Sequence, residues 1–310
     1  MYPRSSSQAD RVRRHTSASA IENIEATTRR NVREHATQSL FGLDLRIAEL
    51  EREWDVERTL EANAGTLALS GAVLGTAVSR KWFWLTGIVL GFLFQHATSG
   101  WCPPLPLLRK LGVRTQPEID QEKFALKAIR GDFNDGSGER PKAARIIQKV
   151  TEIETVVTGP TREPDRVRRY TTREQLRRID RAMERRVKLF SGASPEAIAE
   201  RIAELRREWS IERYLQINVA VVGLSTTALA ATKNRRWGYA TCAALGFFLC
   251  HAIEGFDPPL ALLRKWGVRT RAEIDREIYA LKVLRGDFDD VANARDEDEQ
   301  VEAALVAVGV

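Results

Sequence analysis

Four stretches without a charged residue, set in two close pairs, constrain this chain more than any other feature. Residues 62–79 and 82–100 are separated only by Arg80 and Lys81. Residues 214–232 and 237–253 are separated by Lys233, Asn234, Arg235 and Arg236. A hydrocarbon core about 30 Å thick takes roughly 20 helical residues, with about 17 as the lower limit. Each stretch reaches that length. The expected fold is therefore all-α: an integral membrane protein with two tandem helical hairpins. The spans fall at about 60–79, 82–100, 214–232 and 237–255. A soluble core built from the same hairpins would need four long uncharged runs in a chain whose other helices are strongly amphipathic.

The chain also repeats itself. Trp54-x-x-Glu57-Arg58 recurs 155 residues later as Trp209-x-x-Glu212-Arg213. The same offset carries Trp82 to Trp237, His96 to His251 and Arg109-Lys110 to Arg264-Lys265. It carries Gly112-Val113-Arg114-Thr115 to Gly267-Val268-Arg269-Thr270, and Arg130-Gly131-Asp132-Phe133 to Arg285-Gly286-Asp287-Phe288. Followed upstream, the match fades near Ser17 and Thr172. Such self-similarity marks a tandem duplication.

The expected organisation is a basic N-terminal arm with a possible helix (1–40), a first repeat (41–133), a linker (134–171), a second repeat (172–288) and an acidic tail (289–310). The linker is rich in Gly, Pro and charge, with one short helix near 143–156. The acidic run 289–302 is expected to be solvated and disordered. The first twenty residues lack the apolar core of a secretory signal peptide. A mean hydropathy of -0.32 and a net charge of +6 look like an ordinary soluble protein, because apolar and charged residues sit in separate blocks. No zinc-finger, RNP or helix-turn-helix pattern points to nucleic acid.

Lys and Arg are denser at the open ends of both hairpins than at their tips, which places both termini and the linker on the cytoplasmic side. Trp82, Trp84 and Trp237 at the tips, with Trp54, Trp101 and Trp209 at the open ends, suit interfacial aromatic belts. Gly71/Gly75 and Gly87/Gly91 have GxxxG spacing, answered in the second copy by Thr226/Ala230 and Cys242/Gly246. Small residues at that spacing let helix backbones approach closely in lipid.

Flanking helices complete each copy. Ser194-Pro195-Glu196 reads as a helix start, followed by an apolar face of Ile198, Ile202, Leu205 and Trp209. Ile47, Leu50 and Trp54 repeat that face in the first copy. Pro103-Pro104 and Pro258-Pro259 interrupt the helices after the second span of each copy. Thr115-x-x-Glu118 and Thr270-x-x-Glu273 are capping boxes, and Gly131 and Gly286 sit where those helices should end.

The order Glu57-Arg58, Gly-rich span, Trp-containing turn, second span and Gly100-Trp101-Cys102-Pro103 resembles the YgaP-like inner-membrane transmembrane domain. The resemblance covers about 54–112. It implies a bacterial inner-membrane location and a domain that associates with itself, and it implies no reaction. The second copy departs from the pattern, with Phe256-Asp257-Pro258 where the first has Trp101-Cys102-Pro103.

Several residues stand out as candidate sites. Asn63 with His96, and Asn218 with His251, are expected at one depth as interhelical polar pairs, worth about 0.6–2 kcal/mol each. A proton relay is the functional alternative. Cys102, near Arg109 and Lys110, is a possible reactive thiol. Arg109, Lys110, Arg264 and Lys265 are expected to meet lipid headgroups or a partner. No catalytic constellation, metal site or cofactor motif is evident. The leading expectation is a membrane anchor or scaffold that contacts membrane lipids, itself and an unidentified protein partner. A small channel or exporter, for example for sulfur species, is the alternative, and a thiol enzyme centred on Cys102 a third reading.

Overall fold

The computed structural model describes residues 10–134, 142–152 and 165–310. It is all-α, with no strand among the described residues. The first repeat supplies α1 (Ala18–Ala36), α2 (Leu40–Leu50), α3 (Val56–Ala77), α4 (Phe83–Ser99), α5 (Leu105–Lys110), α6 (Gln116–Ile129) and α7 (Ala143–Thr151). The second supplies α8 (Arg166–Arg169), α9 (Arg173–Leu189), α10 (Pro195–Arg207), α11 (Ile211–Thr232), α12 (Trp237–Glu254), α13 (Pro258–Trp266), α14 (Arg271–Arg285), α15 (Asp289–Asn293) and α16 (Glu297–Val308). Local chemistry sets the boundaries. Ser39 and Ser194 accept a backbone N–H at the starts of α2 and α10, and both expected capping boxes form at α6 and α14. Gly100, Gly255 and Gly286 close helices with φ of 84°, 91° and 91°.

The two repeats pack as one body. The long helices α3, α4, α11 and α12 form a four-helix bundle in which α3 lies mainly on α12 and α4 on α11, so each hairpin leans on the other copy. Its interior is filled by Ala68, Ala72, Leu90, Leu93, Leu245 and Phe248. The stretch Pro195–Thr232 is long and apolar enough to cross a membrane, and the bent pair Trp237–Glu254 with Pro258–Arg285 makes a second candidate. Neither α3 nor α4 qualifies alone. α4 has 17 residues, and α3 begins with Glu57, Arg58 and Glu61 and is rich in Ala, Gly, Ser and Thr.

Beneath the bundle sits a charged helical base, and here several expectations change. Residues 10–15 are part of the repeat rather than a loose arm: Asp10-Arg11-Val12-Arg13-Arg14 returns as Asp165-Arg166-Val167-Arg168-Arg169. Both segments dock, with Val12 and Val167 buried. Residues 165–171 thus belong to the second repeat, not to the linker. The acidic side chains from Asp296 to Glu299 and Glu302 are exposed as expected, but the tail is ordered, because α16 also carries an apolar face. Val301, Ala304, Leu305, Ala307 and Val308 are buried, and α16 packs on α6 and α1 of the first repeat. Its counterpart α7 packs on α14 and α9 of the second. The tail helices are exchanged between copies. Of the expected linker helix, Ala143–Thr151 forms, and residues 153–156 lie outside the described residues.

A local two-fold relation runs through this base. Phe124 stacks on Tyr279 with ring centroids 3.9 Å apart, and Phe133 meets Phe288 at 5.0 Å. Each ring faces the residue 155 positions along the chain from itself.

Candidate functional site

Where the bundle meets the base, the repeated motifs converge into a buried polar collar. The docked segments carry the first part. The Arg11 guanidinium donates to the His96 carbonyl and, at 2.7 Å, to Glu57 Oε1. Arg166 donates to the carbonyls of His251 (2.7 Å) and Ala252 (2.6 Å) and to Glu61 Oε2 (3.0 Å). These carbonyls lie at the C-terminal ends of α4 and α12, where positive charge is favoured. Close approach of the docked segments requires glycine. A Cβ on Gly100 would lie 2.6 Å from the Arg11 carbonyl oxygen, and one on Gly255 would strike that of Arg166.

A second pair of arginines crosses between copies. Arg58 donates to the Ala252 and Ile253 carbonyls, each at 3.0 Å. Arg213 donates to those of Ala97 at 2.8 Å and Thr98 at 3.2 Å. Trp54 and Trp209 stack on these guanidiniums at 4.1 and 3.9 Å. The Trp-x-x-Glu-Arg motif is therefore a clasp: Trp orients the Arg, and the Arg closes the other copy's helix.

At the centre lie Glu57, Glu61, His96 and Gln216. His96 Nε2 is 3.1 Å from Glu57 Oε2, and Gln216 Nε2 donates to Glu57 Oε2 (2.7 Å) and to Glu61 Oε1 (3.3 Å). Glu61 and Gln216 occupy equivalent positions in the two repeats. With Glu in both, two carboxylates would face each other in a dry interior. The amide removes that repulsion and bridges the remaining acids. His251 is fully buried, and neither ring nitrogen has a hydrogen-bond partner among the described residues.

The expected polar pairs are not those that form. Asn63 and Asn218 are exposed on the outer face of the bundle, and His96 meets Glu57 instead. A helical-wheel argument from depth alone fixes height along the helix but not the side it faces. Gly71 and Gly75 are true packing positions, where a Cβ would lie 2.7 Å from Thr86 Oγ1 and 2.6 Å from the Phe83 ring. Gly87, Gly91 and Gly246 are not: a Cβ there meets nothing within 4 Å. The close contacts of the second copy are made by Gly223 against Leu90 and by Gly238 against Thr76.

Arg109 and Arg264 do not reach outward either. Arg109 makes a bidentate pair with Glu118 at 2.7 and 2.6 Å, and Arg264 pairs with Glu273 at 2.8 Å on both oxygens. Both arginines are buried. The capping-box glutamate draws each inward, a role hidden by the neighbouring Lys110 and Lys265, which are exposed. Cys102 is buried beside Val12, Val56 and Leu105, and burial pushes its thiol up to about 11. A thiolate is the reactive form, so this environment disfavours thiol chemistry. No cluster of three or more His, Cys, Asp or Glu suited to a metal occurs among the described residues.

No protein-family model, curated protein or solved structure matches this chain. The collar, the clasp and the packed bundle carry the functional reading by themselves.

Proposed function

We propose that the chain is a four-span membrane anchor: both hairpins cross the bilayer, and the charged helical base forms a rigid scaffold on the cytoplasmic face. The observation that carries this reading is the outer surface of the bundle. Leu67, Val73, Ile88 and Phe92 of the first repeat, with Val221 and Phe247 of the second, are exposed on it. A contiguous apolar band of this kind is costly in water and suited to lipid. Tryptophans mark both rims, with Trp84 78% exposed at one tip. Below the lower rim, α5 and α13 present Leu107, Leu111, Leu262 and Trp266 outward beside Lys110 and Lys265, as interfacial helices do. The resemblance of residues 54–112 to the YgaP-like domain supports a bacterial inner membrane.

The packed interior favours an anchor over a conduit. Ala68, Ala72, Leu90, Leu93, Leu245 and Phe248 fill it above the collar, and the buried hydroxyls of Thr86 and Thr241 bond within the bundle. The carboxylates of the collar are taken up by His96, Gln216 and the docked arginines that hold the helices in register, which favours a structural role.

Alkaline carbonate extraction of membranes from expressing cells tests the reading. It is paired with a membrane-impermeant thiol reagent and single cysteines placed by Lys81→Cys or Lys142→Cys in a cysteine-free background. The protein should stay in the pellet, with position 81 labelled in intact cells and position 142 only after lysis. Release into the supernatant, or the same labelling at both positions, would overturn it.

A further inference from the structure

A cavity of about 580 Å³ opens between the two repeats at the collar. The docked segment Asp10–Arg14, the end of α4, the starts of α6 and α11, and the end of α10 enclose it. Arg14, Arg206, Arg207, Arg213 and Arg271 line its walls.

The acids on these walls are already engaged. Glu57 takes Arg11, and Glu208 takes Arg269. Asp10 accepts the N–H groups of Val12 and Arg13 and the Thr115 hydroxyl. Asp55 caps α3, and Glu212 accepts the Arg271 N–H. The cations are less satisfied. Arg206 is half-buried and makes no hydrogen bond or ion pair among the described residues, and burial disfavours its charged form. Among the described residues Arg207 donates only to the Ala203 carbonyl, at 3.1 Å, and Arg14 is exposed.

The duplication supplies an internal control. The first-repeat counterpart of Arg207 is Arg52, and the second-repeat counterpart of Arg14 is Arg169, but the first-repeat counterpart of Arg206 is Glu51. At that one position the two-fold body is basic on one side and acidic on the other. An open groove lined by Trp209, Tyr214 and Trp266 adjoins the basic side through Arg207 and Glu208. Aromatic rings beside a guanidinium cluster, at the rim of an apolar bundle, match the glycerol and phosphate of a lipid lying at the interface.

We infer that this cavity binds a phosphate group, with Arg206 and Arg207 as its main contacts and Arg14 closing over it. The phosphate belongs either to an anionic lipid headgroup or to a soluble phosphate compound. The lipid source rests on the membrane reading above, and the soluble source does not. The two failures are separable, since a chain that still resists carbonate extraction but binds no phosphate fails here alone.

The test uses the full chain in mild detergent, with native mass spectrometry and thermal unfolding as readouts. The probes are phosphatidic acid, phosphatidylcholine and inorganic phosphate. Selective binding of phosphatidic acid over phosphatidylcholine is expected for a lipid ligand, and protection by inorganic phosphate alone for a soluble one. Arg206→Gln should weaken binding about tenfold or more, and Arg52→Gln in the mirror corner should leave it unchanged. The proposal is overturned if the wild-type chain shows neither preference, whatever the variants do. It is equally overturned if Arg206→Gln binds like wild type, or if Arg52→Gln weakens binding as much.

Discussion

Phe124 lies face to face with Tyr279, its own counterpart in the second repeat, at a centroid separation of 3.9 Å. Both rings are buried where α6 crosses α14, so one contact joins the two copies of the base. Phe124→Ala should cost about 3–5 kcal/mol, the range for emptying a large aromatic site. Chemical denaturation should show a lower midpoint. Phe124→Tyr tests a different term, because it adds a hydroxyl in a fully buried place, and should cost less than the alanine variant.

The docked segments depend on two glycines. Gly100→Ala and Gly255→Ala each combine a positive φ with a Cβ driven into a backbone carbonyl. A loss of about 1–3 kcal/mol is expected from the strain. Limited proteolysis should then cut near Arg11 or Arg166 sooner than in the wild type. An unchanged cleavage pattern would show that the segments hold without the close approach.

Glu273 gives the base a defined acid limit. Burial alone would raise its pKa, but the hydrogen bonds and charge of Arg264, the nearby Arg168 and the Thr270 N–H outweigh it and bring the carboxyl down to about 2. Its folded pKa is thus below its ordinary 4.5. The stabilisation is fully present above pH 4.5 and is lost as pH falls toward about 2. Arg264→Met leaves the buried acid with Arg168 and the Thr270 N–H as its remaining partners, so at pH 7 it should cost less than the about 3–5 kcal/mol of a fully broken buried pair. The variant should lose less stability on acidification than the wild type does. Parallel stability curves from pH 7 to 3 would contradict this account.

Lys282 should act at the alkaline end. It is buried, and its ammonium donates to the Ala307 carbonyl at 3.0 Å and the Val308 carbonyl at 3.3 Å. Burial brings its pKa down to about 8 from 10.5. Because the unfolded chain then binds the proton more tightly, this group favours folding increasingly as pH rises from 8 to 10.5. Lys282→Met should flatten that contribution in denaturation curves, while loosening the end of α16.

Cys102 should resist alkylation. In the folded chain at pH 7.5 a maleimide should modify it far more slowly than after denaturation, since its thiol is buried and raised to about 11. Fast labelling in the native state would restore the case for thiol chemistry.

The helices, their caps and the duplication were legible in the sequence because each is written in local chemistry: Thr115 with Glu118, Ser194 with Pro195, and motifs repeated at constant spacing. The site was legible only in part. Glu57, Arg58 and His96 stood out, but Glu57 meets Arg11 and Gln216, the His96 carbonyl meets Arg11, and Arg58 meets the Ala252 and Ile253 carbonyls, all distant in sequence. One signal lay within reach: Asp-Arg-Val-Arg-Arg occurs twice, at 10–14 and 165–169, at the same offset as the rest of the repeat. Arg109 and Arg264 misled because a surface-like Arg-Lys pair splits, one side chain turning to a buried glutamate and the other to solvent.

The exchange of α7 and α16 bears on how the chain is made. α16 follows both hairpins in the chain, yet it covers α6 and α1, which emerge long before it. The first half of the base must therefore wait, with an apolar surface uncovered, until the second hairpin has been produced. Maturation of the two repeats is a joint event, and premature termination anywhere after α7 strands a finished first hairpin beneath an unfinished platform.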